Sequence, residues 1–338
     1  MTTRRMVVGG IAGAAAMTVG RVRPARAAQK LKMQSLWQAN TVNQKAFDRF
    51  AAKVKEQTGG EVDIETLAVG TIVPPNETLD AIRAGILQGS NGGTGYYVGK
   101  DAAFGLLADL NCGFETTDQF TAWYYEGGGN EVARELYGNY GAYFVGPVLW
   151  GAESIPSKMP LRNIADFKGI KMRSPEGMAA SIWAKLGVGV VTLPGTEVYS
   201  ALERARIEAT DWGTLGMNDE LGYGKIAPYA IYPGIHSMPA SDVAIKLDIW
   251  QKLSPEQKKA IETATVEFNK DSLAANAELD KAMVAKRDPA TLINWGAKER
   301  RELREVAQTV WAEFAAKSPM AKKVYDSQVG YMKKTGLL

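Results

Sequence analysis

Ile164-Ala165-Asp166-Phe167-Lys168-Gly169-Ile170-Lys171-Met172-Arg173 begins the stretch whose reading decides the fold. Ile164 to Gly169 reads as a short helix closed by glycine, and Ile170 to Arg173 as a strand. Met178 to Leu186 is a helix, Val188 to Leu193 a strand, Glu197 to Ala205 a helix, and Ala209 to Trp212 a strand. Strands alternating with helices predict an α/β protein, with open sheets covered by helices on both faces. In such sheets a ligand binds beyond the carboxyl ends of the strands, which is where Arg173 and Asp211-Trp212 fall.

Upstream, Leu31 to Trp37 and Glu61 to Leu67 alternate as strands, and Val42 to Val54 repeats at helical spacing until Gly59-Gly60. Asn76 is placed to cap a helix carrying Leu79, Ile82 and Ile86. Tyr143 to Val145 reads as a strand and Pro156 to Pro160 as a polar loop. Beyond Leu253 the chain turns helical over 254–286, 297–318 and 320–334.

The first 27 residues read as an export signal rather than as part of the fold. Arg4-Arg5 precede an apolar run of about fifteen residues, short of the ~20 that span a bilayer, and Ala25-Arg26-Ala27 supplies a small-x-small cleavage site. Thr3-Arg4-Arg5 also fits a twin-arginine signal. That segment holds five of the 40 basic residues and none of the 37 acids, so the remaining chain carries 35 basic against 37 acidic groups. The basic character of the whole sequence therefore belongs to the signal and gives no reason to expect nucleic acid as a partner.

Catalytic signatures are sparse. His236 is the single histidine and Cys112 the single cysteine, so a two-histidine metal site and an intrachain disulfide are excluded. No Gly-x-Ser-x-Gly elbow or phosphate-binding loop occurs. Arg173 at a strand end matches a carboxylate through two parallel hydrogen bonds, although a structural salt bridge is the simpler reading of an arginine taken alone. Asp211 can hold a cation or a hydroxyl, and Trp212 can wall a pocket or fill the core. His236 lies in an aromatic loop, where a hydrogen-bonded structural role is the default. Trp37, Asn40, Tyr96 and Glu153 stand near strand ends or in a Gly-rich run.

In sequence order, Gly70-Thr71-Ile72-Val73-Pro74-Pro75-Asn76-Glu77-Thr78-Leu79-Asp80-Ala81-Ile82, Asp166 to Arg173, Leu193-Pro194-Gly195-Thr196-Glu197-Val198-Tyr199, Ile207 to Trp212 and Ala227 to Gly234 resemble the binding proteins of TRAP (tripartite ATP-independent periplasmic) transporters, the DctP family. The stretch Trp212 to Tyr229 is most similar to the α-keto acid and lactate binders. The resemblance implies a two-lobed periplasmic binding protein fold of type II-like form, with a ligand cleft between the lobes and a helical C-terminal tail. Lobe I is expected at 28–150 and 241–300, lobe II at 151–240, and C-terminal helices at 301–338.

By resemblance, Arg173 clamps the substrate carboxylate, and Asp211 with the Trp212 main-chain carbonyl holds a bridging Na⁺ or Ca²⁺. The family's third acidic ligand falls at His236-Ser237, where this chain has no carboxylate. Ser237 is then the third metal-ligand position, and His236 or Ser237 contacts the ligand directly. Glu153, Tyr96, Asn40 and Trp37 complete the expected cleft. The implied function is an extracytoplasmic receptor, in the periplasm, that delivers a small 2-keto or 2-hydroxy monocarboxylate to TRAP permease subunits; the C-terminal helices offer a homodimer surface. The competing class is a periplasmic lyase or hydrolase using Asp211 and His236 as acid and base. The lack of a second histidine or an activated nucleophile favours the receptor.

Overall fold

A computed structural model describes residues 28–338, so the expected export signal at 1–27 lies outside the described residues. Its strands, in chain order, are β1 (Gln29–Ser35), β2 (Val62–Leu67), β3 (Gly89–Asn91), β4 (Ala142–Leu149), β5 (Ile155–Ser157), β6 (Lys171–Ser174), β7 (Gly189–Thr192), β8 (Ala209–Thr210), β9 (Tyr229–Ile231), β10 (Ala240–Lys246) and β11 (Leu292–Ile293). They form two sheets, β2-β1-β3-β10-β4 and β11-β9-β5-β8-β6-β7. β1 runs parallel to β2 and β3, and β6 parallel to β7 and β8, while β10 and β5 pair antiparallel with their neighbours. The architecture is the two-sheet α/β fold expected, with helices at the C-terminal end.

The chain passes between the sheets at Leu149–Ile155 and again at Ile231–Ala240. A third link is the helix Pro255–Val284. Ser254 and Gln257 start it by exchanging side-chain and backbone bonds at 3.2 and 2.9 Å, and Pro255 sits at its first turn, where its missing N–H costs nothing. This helix packs on Val42–Gln57 and β4 of the first sheet and on Leu215–Glu220 beside the second. β11, within the stretch that sequence reading gives to lobe I, pairs with β9 at the edge of the second sheet.

The two last helices, Ala297–Ala315 and Pro319–Lys334, strap the lobes together. Trp311 buries its ring and donates Nε1 to the Asn111 carbonyl at 2.9 Å, and Trp123 donates to Ser327 at 3.1 Å. One apolar cluster consequently runs from Leu79, Phe104 and Phe144 through Trp311 to Ile155, Met172 and Trp183. Burial of aromatic side chains of this size stabilises by roughly 1.5–3 kcal/mol each, so the straps hold the two sheets as parts of one packed body.

Two local expectations need correction. Asn76 caps no helix: it lies inside a 3₁₀ turn, Pro75–Glu77, that runs directly into Thr78–Ala84, and Ile86 lies beyond that helix, exposed. Pro156 stands in β5, opposite Ala230, rather than in a loop. Val190 and Val191 of β7 are only half-buried because that strand closes the sheet edge.

Candidate functional site

The second sheet aims three of its strands at one place. Arg173 on β6 stands opposite Thr210 of β8 and Val191 of β7, and the Asp211 N–H donates to the Arg173 carbonyl at 3.0 Å. Asp211 and Trp212 therefore lie just past the end of β8, two residues shorter than sequence reading gives it. The guanidinium is buried, with 1% exposure. Its Nε donates to the Leu193 carbonyl at 3.0 Å and its Nη1 to the Asp211 carbonyl. The Trp212 ring stacks beneath it, 5.3 Å from centroid to guanidinium carbon. That stacking needs Gly195, because a Cβ there would sit 2.0 Å from the Trp212 ring.

A cavity of about 110 Å³ opens against this group, walled from both lobes. Leu36, Trp37, Tyr96 and Trp150 supply one side, and Arg173, Pro175, Met178 and Trp212 the other. Trp37 is fixed by donating Nε1 to Asn91 at 3.0 Å and by an edge contact with Trp150 at 5.0 Å. Two buried donors on residues of this wall, Arg173 Nη2 and Trp212 Nε1, have no acceptor in the protein. An unsatisfied buried donor costs roughly 1–3 kcal/mol. Both belong to residues that line one cavity.

Behind the arginine lies a cluster of ionisable groups. Asp211 Oδ1 meets His236 Nε2 at 3.1 Å, and Oδ2 accepts from Ser174 at 3.2 Å and Trp183 at 3.3 Å. Burial alone would raise the Asp211 carboxyl, but the adjoining His236 and then Arg173 outweigh it and hold the group below the usual carboxylate range. Glu153 accepts from Trp150 Nε1 at 3.2 Å; burial, then the neighbouring Asp211 charge, push its carboxyl well above its ordinary value. One ligand atom from each of Glu153, Asp211 and His236 falls within 4.8 Å of the others.

Of the expected site residues, Arg173, Trp212, Asp211, Glu153, Tyr96, Trp37 and Ser237 line the cavity. Two do not. Asn40 is exposed, turned outward at φ 68° just before the Thr41-capped helix. His236 is buried behind Asp211 and does not line the cleft, so it backs the carboxylate rather than contacting a ligand. The cation ligand set differs too. Glu153 and His236 gather with Asp211, whereas the Ser237 carbonyl is used by the Glu153 N–H at 2.9 Å. The carboxyl oxygens of Glu153 and Asp211 suit a hard cation, while His236 Nε2 is engaged with Asp211 Oδ1.

Asp109 escaped the sequence reading. It follows the apolar helix Ala102–Ala108 and lines the cavity from the first lobe, accepting from Asn111 at 2.6 Å. Burial pushes its carboxyl up to about 7, opposed by a Ser237 hydrogen bond. The one available signal was an acid at a helix C-terminus, where the dipole opposes it.

The model of the family "Bacterial extracellular solute-binding protein, family 7" matches residues 33–318. The monocarboxylate 2-oxoacid-binding periplasmic protein of a Nostoc species is 30% identical over 308 residues, 89% of this chain and 84% of that protein. A TRAP periplasmic solute-binding protein of Rhodobacter sphaeroides, in an apo open structure, is 38% identical, with TM-score 0.76 over 91% of this chain and 99% of that one. One from Pseudoalteromonas atlantica, with bound sodium and pyruvate, is 25% identical, with TM-score 0.80 over 92% and 95% of the two chains. With most of its length matched by the family model and by these relatives, the chain belongs to family 7 of the bacterial extracellular solute-binding proteins, the periplasmic, non-catalytic receptors that bind small organic acids for TRAP permeases.

Proposed function

We propose that this receptor binds a small monocarboxylate of the 2-oxo or 2-hydroxy acid class. The observation that carries the reading is the pair of buried donors without acceptors, Arg173 Nη2 and Trp212 Nε1, on residues of the cleft wall. A carboxylate accepting from both would remove both desolvation costs at once. The rest of the wall mixes apolar Leu36, Trp37, Trp150, Pro175 and Met178 with Thr94, Asn111 and the acids Asp109 and Glu176, which offer no cationic partner to a second carboxylate. The 2-oxoacid-binding relative and the pyruvate-bound structure agree with that class.

Glu153 and Asp211 are the residues that would hold a Na⁺ or Ca²⁺ beside the ligand, with His236 fixing the Asp211 carboxylate from behind. Such an ion, when bound, supplies positive charge shared between the ligand carboxylate and the two acids. The protein does the rest. Arg173 orients the carboxylate, Trp212 walls its face, and Trp37 and Tyr96 come from the other lobe. Closing the lobes expels water and strengthens each polar contact inside. His236 does not line the cleft and meets it only through Asp211.

A calorimetric panel of 2-oxo, 2-hydroxy and dicarboxylic acids, with Na⁺, with Ca²⁺ and with chelator, tests the reading. Binding of monocarboxylates in preference to dicarboxylates, lost in Arg173→Ala, is the expected result. A panel in which no acid binds, or one in which dicarboxylates win, overturns it.

A further inference from the structure

Behind the cleft lies a second cavity, of about 490 Å³, that organic-acid binding does not use. One wall is the two passages between the lobes, at Ala152 and Gly234 to Met238; Asp109 and Ser237 line both cavities. The other wall is the start of the helix Ala297–Ala315, which brings Arg300, Arg301 and Arg304 to it.

For Arg300, at the end of the first turn, that placement is electrostatically costly. The N-terminal end of a helix carries partial positive charge and disfavours basic side chains. Gly296 caps this helix without a side-chain hydrogen bond, leaving its first amides to find other partners, and the one acid of the first turn is Glu299. Arg301 is exposed and has neither an ion pair nor a hydrogen bond among the described residues.

Arg300 and Arg304 are held in place by backbone. Arg300 Nε donates to the Trp295 carbonyl at 3.0 Å, and Arg304 Nη2 to the Gly113 and Leu337 carbonyls at 2.9 and 3.1 Å. Carbonyls orient a guanidinium without cancelling its charge. Arg304 Nε is a buried donor left without a partner, and His236 Nδ1 on the opposite wall is likewise unpartnered. The acids at the cavity are Glu115, 3.5 Å from Arg304, and Asp109, whose carboxyl burial raises to about 7. Three guanidiniums thus face at most two negative charges.

From this geometry we propose that the rear cavity is a second anion site, for a small tetrahedral oxyanion of the phosphate or sulfate class. Arg300, Arg301 and Arg304 supply the charge and the first-turn amides of their helix supply further donors. The volume holds the ion together with several waters, each of about 30 Å³ in the liquid. The site is separate from the Arg173 cleft, and it sits against the segments along which the lobes are joined.

Inorganic phosphate, and in parallel sulfate, titrated calorimetrically at constant ionic strength made up with chloride, tests this. The titrations use the mature receptor and its Arg173→Ala variant, in which the cleft's own anion donor is gone. One saturable site per chain is expected in both, weakened about tenfold in Arg301→Gln and more in Arg301→Glu. The Arg301 side chain is exposed and makes no ion pair or hydrogen bond among the described residues, so an unchanged melting temperature verifies that these variants fold, and organic-acid binding should be unaffected by them. Should Arg173→Ala fail to fold, the wild-type titration with and without Arg301→Glu decides alone. Absence of saturable binding, or equal binding in Arg301→Glu, overturns the proposal while leaving the organic-acid reading intact.

Discussion

Arg173→Lys separates a ligand clamp from a structural prop. Lysine keeps the positive charge beside Asp211, so the buried carboxylate keeps a counter-charge. It does not keep the fork: one ammonium replaces three nitrogens, of which Nε and Nη1 are held by Leu193 O and Asp211 O and Nη2 is buried without a partner. Losing one strand-end hydrogen bond costs the apo protein about 1 kcal/mol, a fall of roughly 2 °C in melting temperature for a chain of this length. Losing the Nη2 contact costs the ligand a charge-assisted hydrogen bond, about 2 kcal/mol, or roughly thirtyfold in Kd. Calorimetry with the tightest 2-oxo acid of the panel measures the second quantity and a thermal melt the first. A Kd within about twofold of wild type, in a protein melting where expected, would refute the assignment of Nη2 to the ligand.

Other residues give further tests. Glu153→Gln keeps the shape of a buried side chain whose carboxyl is raised by burial, so it should leave the chelator-treated protein within about 1 kcal/mol of wild type while abolishing any gain in melting temperature from Ca²⁺. Gly195→Ala drives a methyl into the Trp212 ring and should cost about 1–3 kcal/mol in a urea melt while also weakening acid binding. For Asp109 the folded carboxyl titrates above its unfolded value, so the folded state holds more protons between about pH 4 and pH 7 and stability falls as pH rises through that window. Asp109→Asn removes this dependence, and the variant should gain on wild type at pH 8 relative to pH 5; parallel melts at the two pH values check it.

The alternation around Arg173 was legible because each strand and helix there is a local decision, made by side-chain period and by the glycine that ends it. The unread parts had non-local reasons. β10 escaped notice because Ser241 and Asp242 interrupt its apolar run. They are fully buried, satisfied by Asn91, Ser90, Gly92 and Tyr137, all at least 90 residues away. Asn40 looked like a cleft residue at a strand end, but its left-handed turn sends it to solvent.

By itself the sequence determined the α/β class, the helical tail, the strand-end positions of Arg173, Asp211 and Trp212, and the family, since these rest on periodicity and on motifs in order. Tertiary structure alone decided that His236 backs Asp211, that Glu153 and Asp109 face the same cleft, and that three arginines of a late helix meet the passages between the lobes. Those groups are brought together by packing across long stretches of chain. Their charge states follow from shared burial, a property that no residue carries in its local sequence.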